Sequence, residues 1–410
     1  MRKRLAGLVI AGGLAAAASA RAQDGPFSAD SFQGLADIRL TAASGERSWL
    51  DRGFGKTSAS GDEFEAKLSE VAVEWKPRFN FALSGVVTAH LQPDVDPALD
   101  LSEAYLKLQL PTAAGRVSAR AGVFWPPISL EHDGVAWTTP HTLTASAINS
   151  WVGEEVKVAG LEATFRREFA GHELSATAAV FGWNDTSGTL LSFRGWALHG
   201  VKAGPNTAFP LPPLSAFMRT KQAPVTDPFY ELDLKAGYYG RLEWRPPAPV
   251  VIDALYYDNV GDRVAVEAKQ WAWETRFLNV GARWEPVEGT RILAQALNGE
   301  TLMGFRMPGG IWVDMGFASA YLMAQRDVGE HTLSARIDWF DTRDRTFSVA
   351  DNNDEEGWAL TGAWRHHLSD RANLIVEALH ITSKRPSRVL AGEAPKQDQT
   401  VLQTALRLSF

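Results

Sequence analysis

Leu333-Ser334-Ala335-Arg336-Ile337-Asp338-Trp339 places Leu333, Ala335, Ile337 and Trp339 on one side of an extended chain and Arg336 and Asp338 on the other. Successive side chains on a strand point to opposite faces, so a period of two is the strand period and argues against a helix. The same rhythm runs through Leu174, Ala176, Ala178 and Val180, with Glu173, Ser175 and Thr177 between them, and through the stretch 79–87. Charge takes the face opposite the apolar stripe.

Carried along the chain, this reading gives sixteen segments, near 31–43, 64–76, 78–91, 100–110, 115–125, 153–167, 172–183, 232–245, 248–257, 270–284, 290–303, 311–326, 330–341, 356–368, 372–384 and 398–410. Brief turns at Pro77, 111–114, Ala170-Gly171, Pro246-Pro247, 286–289 and 369–371 alternate strictly with longer connections. Short turns at one end, long loops at the other and strands of ~10 residues with alternating faces are the pattern of a transmembrane barrel. In a bilayer every backbone N–H and C=O must be paired within the protein, and a closed sheet achieves this without leaving an edge. The fold class read here is all-β, a transmembrane antiparallel β-barrel of about sixteen strands. Trp75, Phe79, Trp244, Trp284 and Phe410 fall at the turn ends, and Trp125, Trp151, Trp183, Trp271 and Trp358 at the loop ends. Those positions suit aromatic girdles at the two membrane interfaces.

The 410 residues are 45% hydrophobic and 22% charged, with 15 Trp, 7 Tyr, 20 Phe and no cysteine. That composition excludes a disordered chain and a disulfide-stapled miniprotein. A net charge of −7 gives nucleic-acid phosphates no general attraction, so no nucleic-acid partner is expected. Arg2, Lys3 and Arg4, the apolar run 5–18 and Ala20-Arg21-Ala22 have the order of a secretory signal peptide, with Gln23 as the expected mature start. Residues 1–22 are thus read as the signal peptide and 23–410 as the barrel domain. Loss of Arg2, Lys3, Arg4 and Arg21 leaves 37 of the 41 basic side chains against 48 acidic ones, a net charge near −11. The apolar run is short of the ~20 residues a spanning helix needs, and the rest of the sequence offers no such run. At the other end Leu402, Thr404, Leu406, Leu408 and Phe410 share one face while Gln403, Arg407 and Ser409 share the other. Outer-membrane barrels commonly close on such a pattern, which implies the bacterial outer membrane, its lipid and lipopolysaccharide, and the barrel-assembly machinery as partners.

A barrel of ~16 strands is wide enough for an aqueous lumen, whereas ~8 strands would be filled by side chains. The loop 126–152 contains Pro126-Pro127, Glu131-His132-Asp133 and a Thr/Ser-rich stretch, and is expected to fold into the lumen and narrow it. Gly122-Val123-Phe124-Trp125-Pro126-Pro127-Ile128-Ser129-Leu130-Glu131 resembles the Gly-x-Phe-x-x-Pro-Phe-x-Leu-Glu-type run of the phosphate-selective porin O/P family. The resemblance covers about ten residues, and it implies sixteen strands, a homotrimer, and a loop after the motif that turns inward.

Selectivity for phosphate would need a concentrated row of Arg and Lys along the lumen. On strands four, five, six and eight the inward side carries Lys107, Arg116, Arg120, Lys157, Arg166, Lys235 and Arg241 against Glu103, Glu162, Asp233 and Glu243. Elsewhere it pairs Asp37 with Arg39 and Arg336 with Asp338, and adds Asp253, Glu377 and Arg407. This is a mixed wall, whose transverse field favours small hydrated solutes over apolar ones. The expected function is passive diffusion of small hydrophilic solutes, with a preference for anions such as phosphate as the finer expectation. Its expected pore-lining residues are Lys107, Arg116, Arg120, Lys157, Arg166, Lys235, Arg241, Arg336, Asp338 and Arg407, and its constriction residues are Glu131, His132 and Asp133. No catalytic residue, metal or cofactor is expected. A non-transporting adhesin or structural barrel is the alternative, and an outer-membrane hydrolase a weaker one, since no serine elbow or paired histidine signature stands out.

Three other features lie in the connections between strands. The loop 184–231, rich in proline, is expected to cap the mouth or bridge protomers, with a mobile surface loop as the alternative. The acidic cluster 351–356 lacks the glycine of a calcium loop and is read as a solvated charge run. Gly53-Phe54-Gly55-Lys56-Thr57 imitates a phosphate-binding loop, but Leu50 stands where its first glycine would be.

Overall fold

The structure, a computed structural model, describes residues 25–61, 64–346, 348 and 351–410. The segment 1–22 read as a signal peptide, and its cleavage before Gln23, lie outside the described residues. Sixteen antiparallel strands form one closed barrel. They are β1 (Phe32–Ser44), β2 (Phe64–Trp75), β3 (Leu83–Leu91), β4 (Leu99–Thr112), β5 (Gly115–Phe124), β6 (Val158–Phe169), β7 (His172–Gly182) and β8 (Gly237–Arg245). The second half comprises β9 (Val250–Asp258), β10 (Glu274–Trp284), β11 (Thr290–Met307), β12 (Gly310–Val328), β13 (His331–Asp344), β14 (Glu355–Ser369), β15 (Ala372–Lys384) and β16 (Lys396–Ser409). Each strand pairs with its neighbours in sequence, and β1 closes the cylinder on β16 with Leu35 opposite Ser409 and Ser44 opposite Thr400. No sheet edge is left to lipid.

The alternation decides which side of the wall each residue meets. On β13 Trp339 is 47% exposed on the outer surface while Asp338, its neighbour, is fully buried inside. Leu106, Leu161, Leu242, Leu278, Leu322, Ile337, Leu360 and Leu402 are likewise exposed on the outside, which is the surface a bilayer would cover. Phe79, Trp244, Trp284 and Phe410 are exposed near the short turns, and Trp183 and Trp358 toward the loops. Trp125, Trp151 and Trp271 depart from the girdle expected of them: they are buried in the apolar clusters inside the barrel and against its long loops.

Strand starts depart from the sequence reading in four places, the first being β3, expected from 78 and found from Leu83. The segment expected to start at 153 begins at Val158, because Ala147–Glu155 winds into a helix, α1. The segment expected at 232 begins at Gly237, and the one expected at 270 begins at Glu274. The strict alternation of turns and loops fails once, between β11 and β12. These are the longest strands, of 18 and 19 residues, and they join at the loop end through Pro308 and Gly309 alone. Their hairpin rises past its neighbours and packs Phe305 and Trp312 edge-on around Trp271.

Gly122 opens the motif at the end of β5 for a backbone reason. Its φ is +140°, and a β-carbon there would overlap the Ala104 carbonyl oxygen and the Tyr105 backbone of β4. Since neither partner is the end of a flexible side chain, Gly122→Ala is expected to cost about 2 kcal/mol or more through strain and lost β4–β5 pairing. A lower denaturant midpoint of the refolded barrel, read by the loss of its compact form on gels, checks this.

Candidate functional site

The lumen has two halves of different character. Toward the short turns the wall is charged and reaches solvent. Arg120 Nε lies 2.9 Å from Glu162, and Arg241 Nη2 lies 2.7 Å from Glu243 and 2.6 Å from Asp253. Arg166 pairs more loosely with Glu173, at 3.6 Å. Lys107 and Arg116 make no ion pair among the described residues. The register sets Arg116 directly across from Arg166 and Lys107 across from Arg120, a small basic patch on β4–β6.

Toward the loops the lumen is largely occupied by inserted chain. The connection 125–157 crosses it, carrying α1 with every residue buried. Trp151 of α1 packs on Phe277 and Phe317 of the wall, and Ile148 and Val152 belong to the same apolar cluster. The wall also grips this loop by its backbone. Arg120 and Arg283 donate to the Trp125 and Leu130 carbonyls, and Glu377 accepts the Leu143 and Thr144 amides. Arg407 donates to the Thr139 carbonyl at 2.9 Å.

The main fastening is at Arg336. Its guanidinium is fully buried and donates to Asp338 at 2.8 Å, Glu131 at 2.9 Å, and the Thr144 and Ala145 carbonyls at 2.8 and 3.0 Å. Glu131 accepts in turn from the Ser146 amide and from Asn149, and Asp338 accepts the Ala147 amide at the start of α1. Orphan N–H groups of a helix start favour such a carboxylate.

The second filler is the connection 183–236, with a short helix α2 (Thr189–Phe193). It was expected to cap the mouth or bridge protomers. Instead its residues 189–203 lie almost wholly buried within the barrel, because they continue the apolar cluster begun by α1 and are tied to it by charge. Arg194 clasps Glu154 of α1 with both guanidinium nitrogens, and His199 Nε2 lies 2.8 Å from the same carboxylate. Burial alone would raise the Glu154 carboxyl; Arg194 and His199 outweigh it and hold it at about 2. Its neighbour Glu155 accepts the Gly188, Leu190 and Leu191 amides and the Trp151 indole, and burial pushes it up to about 7.

Lys56, from the stretch that imitates a phosphate loop, is buried against Glu355. Burial brings its ammonium down to about 7, with Glu355 opposing. Glu355 and Asp351, from the acidic cluster, are buried rather than solvated, since Glu355 also faces Arg385 at 3.7 Å.

The remaining expected site residues are placed as follows. Lys157 is fully buried, 3.8 Å over the Trp125 ring, and donates to the Ala203 carbonyl, so it joins the two inserted loops. Lys235 precedes β8 and faces Asp262 of an outer loop at 3.6 Å. Arg407 bonds Asp37 at 2.8 Å. His132 stacks on Trp137 at 3.7 Å, Trp137 stacks on Trp125 at 4.2 Å, and Asp133 lies 3.6 Å from Arg283.

Asp185, Glu231 and Asp233 are the one group of three among the described residues whose carboxylates lie close enough to share a cation. All three already accept backbone amides: those of Leu232 and Asp233 for Asp185, Trp183 and Leu234 for Glu231, and Lys235 and Asp262 for Asp233. They form a structural knot at the start of β8.

The wall residues that receive α1, namely Phe277, Phe317, Tyr321 and Phe340, were not foreseen as functional. Their signal was in the sequence. The stretch 315–323, Met-Gly-Phe-Ala-Ser-Ala-Tyr-Leu-Met, is apolar on both faces, which a strand lining plain water would not be.

A closed sixteen-strand barrel of this kind has the fold of outer-membrane porins. The chain is similar to the anion-selective porin from Comamonas acidovorans, at 12% identity over 92% of this chain and 98% of that one, with a TM-score of 0.55. It is also similar to the outer membrane channel DcaP of Acinetobacter baumannii, at 9% identity over 92% and 96% of the two chains (TM-score 0.56). OmpF of Salmonella typhi aligns at 11% identity over 92% and 97% (TM-score 0.52). No family model and no curated protein matches the chain.

Proposed function

We propose that the protein is an outer-membrane porin that passes small hydrophilic solutes by passive diffusion, through a lumen narrowed by two inserted loops. The observation that carries this reading is a closed barrel with an apolar outside and a charged, solvent-reaching wall inside its turn-side half. A lining of paired opposite charges suits hydrated solutes and repels apolar ones. Export through a cleaved signal peptide, residence in the outer membrane among lipopolysaccharide, insertion by the barrel-assembly machinery and a homotrimeric state belong to the same reading. Swelling of liposomes loaded with the purified protein in small sugars tests it. Reconstituted barrels that admit no sugar and carry no current would leave a structural or adhesive barrel instead.

The finer part of the reading is a mild preference for anions, phosphate among them. Its support is the basic patch of Lys107, Arg116, Arg120 and Arg166, where like charges face each other across β5. Arg120 is committed to Glu162, so the exposed Arg116 and the half-exposed Arg166 are the better test. Arg116→Glu with Arg166→Glu is expected to move the reversal potential in asymmetric salt toward cations, with the conductance of the same order. An unmoved potential would take these arginines out of the path.

A further inference from the structure

Around most of the circumference the inserted loops meet the wall through apolar packing or buried ion pairs. On the side formed by β1, β2, β15 and β16 such contacts are also made, Leu143 on Ile375 and Ala405 and Ala136 on Leu35 and Ala72, but a gap interrupts them. There a cavity of about 40 Å³ separates the wall from the loops, lined by Thr41, Ser69, Gln92 and Gln403 together with Arg39 and Lys67. That is room for about three water molecules. It opens toward the loop side near Asp94, which is exposed.

Glu70 and Arg39, which line it, belong to a layer of paired charges. Lys202 donates to Glu70 of β2 at 2.5 Å and to the Ala136 carbonyl at 3.0 Å. Beside it Arg39 and Arg407 share Asp37, and Arg407 holds the Thr139 carbonyl. On the far side of this layer lies the turn 134–138, which packs Ala136 on Leu35 and Ala72 and leaves Asp133 exposed toward the charged turn-side half. Ala136 and Trp137 both sit in the left-handed region, at φ 55° and 56°, where residues with a β-carbon are strained. The His132–Trp137–Trp125 stack and the Lys202 bond hold them there.

We propose that solutes cross the barrel on this side, and that the turn 134–138, latched by Lys202 and Glu70, is the gate between the outer cleft and the inner vestibule. The proposal rests on the porin reading and locates its path. Lys202 ties the Ala136 carbonyl of this turn to Glu70 of the wall, and a strained turn gains by leaving its strained state once that tie is broken. Arg39 and Lys67 then act on whatever ion enters the cleft, a role that spacing in the sequence did not suggest.

The absence of cysteine makes the test direct. Ser69→Cys is expected to react with a small charged thiol reagent added from the loop side, and the reaction to lower solute flux about tenfold by narrowing the cleft. Glu70→Gln, which leaves Lys202 without its counter-ion, is expected to raise flux several-fold while the barrel keeps its compact form on gels. A labelled Ser69→Cys with undiminished flux, an unreactive Ser69→Cys, or a folded Glu70→Gln with wild-type flux would each overturn the route. A wild-type protein without any flux would instead sink the porin reading itself.

Discussion

Arg336→Met is expected to unseat the loop after β5 and to raise conductance more than any other single substitution in the wall. The guanidinium is fully buried and binds two carboxylates and two loop carbonyls at once. Methionine fills part of the volume but leaves Glu131 and Asp338 charged and buried with no cation. Removing one partner of a buried pair typically costs about 3–5 kcal/mol, much of it the penalty on the charge left behind. The penalty falls on the loop and not on the wall, because the β12–β13 and β13–β14 ladders are made of backbone bonds the substitution does not touch. The variant should therefore assemble as a barrel, while protease added from the loop side should gain access to residues 126–152. A triple variant that adds Glu131→Gln and Asp338→Asn removes the stranded charges and is expected to recover part of the protection. Wild-type conductance and protection in Arg336→Met would mean that the backbone contacts from Glu377, Arg283 and Arg407 hold the loop without it.

The packing of the two inserted loops on each other is expected to be firmest near pH 4.5 and to loosen on either side. Glu154 titrates at about 2 in the folded protein against 4.5 when free, so its contribution is present above 4.5 and is lost as the pH falls toward 2. Glu155 is raised from 4.5 to about 7, so the folded state holds its proton more tightly. Its contribution is present below 4.5 and is lost as the pH rises through 7. Each shift corresponds to about 3 kcal/mol at its limit. Neighbours on one helix thus pull in opposite directions. Glu155→Gln is expected to abolish the loosening between pH 4.5 and 7, and Glu154→Gln to abolish the acid limb while weakening the joint at every pH by stranding Arg194. Hydrogen exchange of the α1 amides across this range reads both limbs, and a flat profile in the wild type would refute the assignment.

The barrel was legible because it is written locally. Period two, the turn residues and the apolar outer stripe need no knowledge of distant contacts, and the strands fall close to where Leu333–Trp339 and its counterparts placed them. The strand ends at 153, 232 and 270 were misread where loop residues share the composition of strands. Pro308-Gly309 was misread because a tight turn at the loop end looks like any other proline and glycine. The filling of the lumen was less legible for a physical reason. Arg194 and Glu154 are 40 residues apart, Arg336 and Glu131 are 205 apart, and Arg388 and Glu46 are 342 apart. No spacing rule links such partners; only the fold brings them together. A lumen that receives a helix is also apolar inside, so the alternation that marks a strand fades in the stretch 315–323 that holds α1.

The seam between β1 and β16 carries a consequence for speed. It joins Asp37 to Arg407 across 370 positions, so it can form only after fourteen intervening strands have found their partners or been held ready to do so. Contacts so remote in the chain make for slow maturation, and until they form both flanking ribbons offer unsatisfied amides to any neighbour. Zippering at this one line of the circumference is therefore expected to limit how fast the molecule becomes functional, and variants that weaken Asp37 or Arg407 should accumulate as open sheets long before they alter what the finished barrel does.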